Sequence, residues 1–373
     1  MRLHCNSAAL LEGLQTASRA LTTRTANPIL EGLLIETGAG QVRITASDER
    51  LTILTRVECD VLESGRGVVP GKLLIDIVRR LQDNPSIEIS MNERFVFNIV
   101  SGATVINVAG QDADLYPALP QMAESSEVTL PQDTLREMIE KTEFAIAADD
   151  AREVLTGALL EIAGGEATMV ALDGFRMAYK REKISDVLES IRAIIPGRAI
   201  GDIGKLLPGG EDAFVSLCFS ANGRLQLRLK NTDIYVTLIG GEYINYRRLL
   251  PTSFRVRAVA DLEPLRQCID RAALLAREGN VNLIRFHLHE NMLEIDSNSQ
   301  MGDAHEEMEL ESLEGGEMTI AFNVRYMLDV VRTVDAEKIV MNFTDSLSPC
   351  VVTPADDMDY VHLVLPVRTG YSA

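Results

Sequence analysis

Nowhere in the 373 residues do about 18 apolar side chains run together, the length a helix needs to cross a bilayer, so the chain reads as soluble. Its start, MRLHCNSAALLEGL, has one Arg but neither a continuous apolar stretch nor a small-residue cleavage site. That argues against a signal peptide and places the protein in the cytoplasm. The five cysteines, Cys5, Cys59, Cys218, Cys268 and Cys350, are odd in number, far apart and never in a C-x-x-C pair. Neither a disulfide framework nor a zinc site is indicated, and reduced, mostly buried thiols are expected. No G-x-x-x-x-G-K-[ST] or G-x-S-x-G occurs, which removes the commonest nucleotide and hydrolase signatures. Positive charge is also short: 36 Lys and Arg face 55 Asp and Glu, a net −19. Such a balance normally argues against nucleic acid, because phosphate needs a positive surface. Only an uneven distribution of the bases can reverse that.

The distribution is uneven. VVPGKLLIDIVRRL at 68–81 returns as IIPGRAIGDIGKLL at 194–207, 126 positions later, and again as IAFNVRYMLDVVRTV at 320–334 with the Pro-Gly lost. Residues i, i+4 and i+7 share one face of a helix. In the three copies these are Lys72, Asp76 and Arg79, then Arg198, Asp202 and Lys205, then Arg325, Asp329 and Arg332. Each reads base, Asp, base. The opposite face is apolar: Leu74, Ile77, Val78 and Leu81, then Ile200, Ile203 and Leu207, then Met327, Val330, Val331 and Val334. Each helix is therefore expected to dock on a core and turn a net positive stripe outward. A solvated face would explain one such stripe. Three in phase on an acidic chain point to an extended anion.

A second helical segment opens each third: NSAALLEGLQTASRALTTR, PQDTLREMIEKTEFAIA and ADLEPLRQCIDRAALLAR. Alternating or β-branched runs such as SIEISMNERFVFNIV, RLQLRLKNTDIYVTLI and IRFHLHENMLEIDS supply strands. With 46% apolar and 24% charged residues the composition is globular. The length suits two or three domains, and the repeat selects three α+β domains, 1–126, 127–252 and 253–373.

Signs of catalysis are few. His287 and His289 alternate in RFHLHEN and share a strand face, but no third metal ligand is evident. PADDMDY and GQDADLYP offer Asp356, Asp357, Asp359, Asp112 and Asp114, which as loop carboxylates are expected to be solvated. A metal-dependent enzyme built on these clusters is one alternative, and a monomeric peptide-binding scaffold is another. Metal content and solution mass separate them.

NPILEGLLIE, REVLTGALLEI, ALDGFRMA, YRRLLP, FNVRYMLDVV and LVLPVR, in that order and with three-domain periodicity, resemble the bacterial DNA sliding clamp, the β subunit of the replicative DNA polymerase III holoenzyme. The likeness runs from Met1 to Arg368. It implies a homodimeric, head-to-tail ring of six similar domains, helices lining the hole and sheets outside. Such a ring encircles duplex DNA as a processivity factor without catalysis or cofactor. It also implies partners that carry a short clamp-binding motif: the polymerase α subunit, the clamp loader, other polymerases and repair proteins. Carried over by residue, the DNA-facing positions are Arg24, Lys72, Arg79, Arg198, Lys205, Arg325 and Arg332. Asp149 is left out, since a carboxylate would repel phosphate. The implied peptide cleft draws on Leu155, Leu172, Gly174, Phe175, Arg176 and Met177 in the central third, with Ile244, Arg248 and Leu249 at its end. Leu347, Pro349, Val364, Leu365, Pro366, Val367 and Arg368 complete it. Leu172, Phe175 and Ile244 stand where Thr, His and Pro are frequent in the family, so a more apolar pocket is expected, with Arg176, Arg248 and Arg368 at its rim. The tail TGYSA is longer than many.

Overall fold

The computed structural model describes all residues except 23–24, 124, 150, 186–189, 279–281 and 369–373. Six α-helices are present among them: α1 (Ser7–Ser18), α2 (Gly71–Arg80), α3 (Gln132–Glu140), α4 (Gly197–Leu206), α5 (Leu262–Ala276) and α6 (Val324–Thr333). Each third of the chain runs strand, helix, four or five strands, helix, three strands. The strand Ser125–Pro131 opens the central third. Cys5, Cys218, Cys268 and Cys350 are buried free thiols, and Cys59 is half-buried.

The chain divides into two compact units, and the central third contributes to both. One unit is Met1–Asp133 with Lys205–Leu238. Its eight-stranded antiparallel sheet joins Thr232–Thr237 to Leu51–Glu58, with Thr232 opposite Thr55 and Ile234 opposite Ile53. The Thr55 and Thr232 hydroxyls lie 3.0 Å apart, and Arg56 pairs with Asp233. Helix α1 is capped by the Asn6 side chain, which accepts from Ala9 N at 3.0 Å. It packs so close to Leu51–Glu58 that a Cβ on Gly13 would stand 2.4 Å from Val57 Cγ2. A separate five-stranded sheet ends on Thr104–Ala109.

The other unit is Thr134–Gly204 with Ile239–Ala373. A nine-stranded sheet crosses from the central to the last third where Arg176–Lys183 pairs with Tyr360–Val364, Arg176 opposite Val364 and Tyr179 opposite Val361. Beside this seam Lys180, only 5% exposed, reaches Asp357 and Glu182 at 2.8 Å each and Glu137 at 3.4 Å. A four-stranded sheet, ordered Gly302–Glu309, Met292–Ser299, Leu283–His289, Met318–Asn323, buries Ile284, Phe286 and Leu288 and turns the alternate side chains outward. Phe286 meets Phe322 edge to face at 5.5 Å in the core under α5 and α6.

His362 lies in the seam, fully buried against the Phe144 ring at 5.8 Å and the Tyr360 ring at 4.4 Å. Neither ring nitrogen has a hydrogen-bond partner among the described residues. Burial, with Lys141 and Arg176 nearby, pushes its pKa down to about 3. Unfolded, it protonates near its ordinary value of about 6.5. The unfolded state thus takes up a proton that the folded state refuses, and stability contributed by neutral His362 is lost as pH falls from about 6.5 toward 3. His362→Phe is expected to flatten that part of the stability profile. Denaturant melts of both proteins at neutral and mildly acidic pH measure the difference, and parallel profiles would show that His362 does not drive the loss.

Candidate functional site

Two groups of residues are candidates, one on three helices and one at a sheet end. Helices α2, α4 and α6 each follow a strand and bury the apolar face read from the sequence: Leu74, Ile77 and Val78, then Ile200 and Ile203, then Met327, Val330 and Val331. Pro70-Gly71 and Pro196-Gly197 start the first two. A Cβ on Gly71 would lie 2.6 Å from Leu21 Cδ1, and one on Gly197 would lie 2.9 Å from Ile146 Cγ2, so a side chain at either position would have to displace its neighbour. In α6 the Asn323 side chain caps the helix by accepting from Arg325 N at 2.9 Å, and Val324 fills the space, which is why the motif dispenses with Pro-Gly.

The outer faces match in all three copies. Lys72, Arg79, Arg198, Lys205, Arg325 and Arg332 are exposed, and Asp76, Asp202 and Asp329 are half-buried between them. Arg79 Nη1 donates to Asp76 Oδ1 at 3.0 Å, and Arg332 Nη2 to Asp270 Oδ1 at 2.6 Å. Ion pairs this exposed are worth about 0–1 kcal/mol and can yield to a phosphate. Bases on or next to the other helices also have partners: Arg266 Nε donates to Val331 O at 3.0 Å, Lys141 Nζ to Thr333 O at 2.5 Å, and Arg271 Nε to Glu306 Oε1 at 2.8 Å. Arg24 lies outside the described residues, as does the tail TGYSA. Asp149 is exposed.

The second group sits at one end of the nine-stranded sheet. Strand register brings the turn before Arg176, the loop before Cys350 and the chain after Val364 together, because Val364 faces both Arg176 and Cys350. Leu365 N donates to Phe175 O at 2.9 Å, and Val367 N to Ala321 O at 2.8 Å, so the C-terminal segment is fastened on both sides. Leu155, Leu172 and Met177 are buried in one apolar cluster, and Ile244 packs against it. Above them Phe175 (60%), Leu347 (63%), Leu249 (41%) and Leu365 (38%) are large apolar side chains left exposed. Pro366 and Val367 are half-buried, and Arg248 and Arg368 are exposed. At Gly174 the backbone φ is +90° and a Cβ would lie 3.3 Å from Arg152 Nη2, so the tight turn favours glycine.

Arg176 departs from its expected place at the rim. Its Nε donates to Asp173 Oδ2 at 3.0 Å, its Nη2 to Phe144 O at 2.5 Å, and its Nη1 pairs with Asp329. The guanidinium also lies over the Tyr326 ring at 4.7 Å, and Tyr326 stacks on Phe175 at 6.4 Å. It braces the wall that carries Phe175 instead of reaching outward. Arg176→Ala is expected to cost about 2–4 kcal/mol, because two carboxylates and a carbonyl lose their donor together. Chemical denaturation checks this, and a loss below about 0.5 kcal/mol would show the network to be dispensable. No single sequence motif announces the pairing of Arg176 with Asp329, since the two are 153 residues apart.

A thrice-repeated strand–helix unit with paired helices against antiparallel sheets is the DNA-clamp class of α+β fold. The chain matches DNA polymerase III beta subunit N-terminal, central and C-terminal domains over residues 1–120, 129–245 and 247–368. It is 31% identical over 365 residues to the beta sliding clamp of Staphylococcus aureus, covering 95% of this chain and 96% of that one. Among solved structures, the DNA polymerase sliding clamp of Bacillus subtilis matches with a TM-score of 0.94 at 29% identity over 99% of both chains. The DNA polymerase III subunit beta of Pseudomonas aeruginosa matches with a TM-score of 0.92 at 28% identity over 99% of this chain and 100% of that one. The chain belongs to the DNA polymerase III beta subunit family, the bacterial beta sliding clamps.

Proposed function

We propose that two copies join head to tail into a ring around duplex DNA and tether other replication proteins through the cleft at 172–177 and 364–368. As a member of the clamp family the chain is a processivity factor of DNA replication, and we place it in the cytoplasm as a non-catalytic accessory subunit. No helix among the described residues is long and apolar enough to cross a membrane. The observation that carries the reading is the same base–Asp–base face, with the same exposure, on α2, α4 and α6. Contacts of that kind position a phosphate backbone without reading sequence. In this reading Lys72, Arg79, Arg198, Lys205, Arg325 and Arg332 line the hole, with Arg24 added from the family likeness. The net −19 charge belongs mainly to the remaining surface, where it discourages DNA from adhering to the outside.

Ring closure has candidate seams. Thr104–Ala109 ends one sheet with Val105 59% exposed, and Gly302–Glu309 ends another beside α5, where Leu274 is 69% exposed. Unpaired strand edges of this kind seek a partner. The expected solution mass at micromolar concentration is therefore twice the 41.0 kDa of one chain. Light scattering that finds only the single-chain mass would remove the ring. The functional test is retention on nicked circular DNA after loading by the clamp loader, with release once the circle is cut. The domains we assign are 1–126, 127–252 and 253–373.

A further inference from the structure

The outward face of the four-stranded sheet carries a donor set that DNA and peptide binding leave unused. His287 and His289 lie two apart on Leu283–His289, so their side chains share a face, with ring centroids 4.7 Å apart. The sequence offers only these two. Sheet register supplies a third ligand, because Glu294 on Met292–Ser299 sits directly opposite His287, and its Oε1 lies 2.9 Å from His289 Nε2. One donor atom from each of the three lies within 4.8 Å of the others. All three side chains are 28% exposed, open enough for an ion to enter and covered enough to be held in place.

Two further residues complete the arrangement. His287 Nδ1 is 2.8 Å from Thr319 Oγ1 on the strand at the other side. With Nδ1–H donating to that hydroxyl, Nε2 carries the lone pair, which is how protein imidazoles are commonly oriented toward a metal. Glu317 Oε1 stands 3.4 Å from the same Nε2 and provides a fourth donor.

We propose that His287, His289 and Glu294 bind one late first-row divalent transition cation, with Zn²⁺ as the representative and Glu317 as fourth ligand. Two imidazoles with carboxylates suit Zn²⁺, whereas Mg²⁺ and Ca²⁺ prefer all-oxygen sets. Four protein donors leave no open position for substrate, so the ion would clamp two neighbouring strands and perform no chemistry. This reading is independent of the ring: either can fail while the other stands.

The test is calorimetric titration of chelator-stripped, full-length protein with Zn²⁺. Wild type should bind one equivalent per chain and show a higher Tm at saturation, since a ligand bound only by the folded state stabilises it. His287→Ala/His289→Ala should bind at least 100-fold more weakly and show no Tm rise, and Glu294→Gln should bind at least tenfold more weakly. Cys59→Ser should bind as wild type does, which separates this site from the half-buried thiol. The half-exposed positions allow the variants to fold, and the metal-free Tm of each confirms it. Absence of wild-type binding up to millimolar Zn²⁺, or equal binding by the double His variant, would overturn the site.

Discussion

Deleting residues 365–373 is expected to abolish binding of short, Leu- or Phe-anchored clamp-motif peptides. Leu365 supplies one exposed apolar wall and Phe175 another, and the bond from Leu365 N to Phe175 O holds them at a fixed spacing. A short peptide covers little area, so an affinity on the order of micromolar is expected, and a few anchors carry most of it. Removing one wall and releasing its neighbour should weaken binding at least 100-fold, about 2.7 kcal/mol. The dimer should persist, because Val367 is fastened to Met318–Asn323, at the opposite edge of the four-stranded sheet from Gly302–Glu309. Calorimetry with a polymerase-derived peptide decides it: unchanged affinity would mean that the C-terminal segment is no part of the cleft. Phe175→His should instead change the ranking among peptides, since it puts polar ring atoms where an exposed hydrocarbon ring now stands.

Replacing Lys72, Arg198 and Arg325 with Ala, one base per helix, is expected to reduce DNA contact while leaving peptide affinity intact. The three positions are exposed at the first turn of α2, α4 and α6, one on each repeat. Each phosphate contact adds about 0.9 to the slope of log K against log salt, so the triple variant, which removes three bases from each of two chains, should lose up to about 5 units of slope. A variant with the wild-type slope and normal retention on circular DNA would reduce the repeated stripe to a solvated face.

The helices were legible because helical spacing is local. Leu74, Ile77 and Val78 announce their buried face within two turns, and repetition at 194–207 and 320–334 announces the domain count. The strand–helix order within each third was legible for the same reason. What joins the thirds was not. The pairings of Thr232 with Thr55 and of Arg176 with Val364 span more than 170 residues, and alternation shows which face of a strand is buried without naming its neighbour. The same blindness hid Glu294, which becomes a neighbour of the histidines only through register. It also cast Arg176 as a rim residue, although its partners Asp329 and Phe144 fix it in the wall. For the middle carboxylate of α6, the pattern marked its place on the stripe and could not reveal that an arginine from the central third would occupy it.

The strand pairings between thirds have a consequence for how such a chain can be taken apart. Three repeats in sequence suggest three pieces that could be excised, exchanged or evolved one at a time. Cutting out the central piece would expose the edges of Leu51–Glu58 and Tyr360–Val364, each now part of a continuous hydrogen-bonded sheet, and would strand Lys180 without the Asp357 carboxylate. A graft from a relative must preserve both registers before it preserves any function. The unit of repetition and the unit of folding therefore differ: the motif recurs three times, and strand pairing ties the copies so that the central one cannot be replaced without regard to its neighbours.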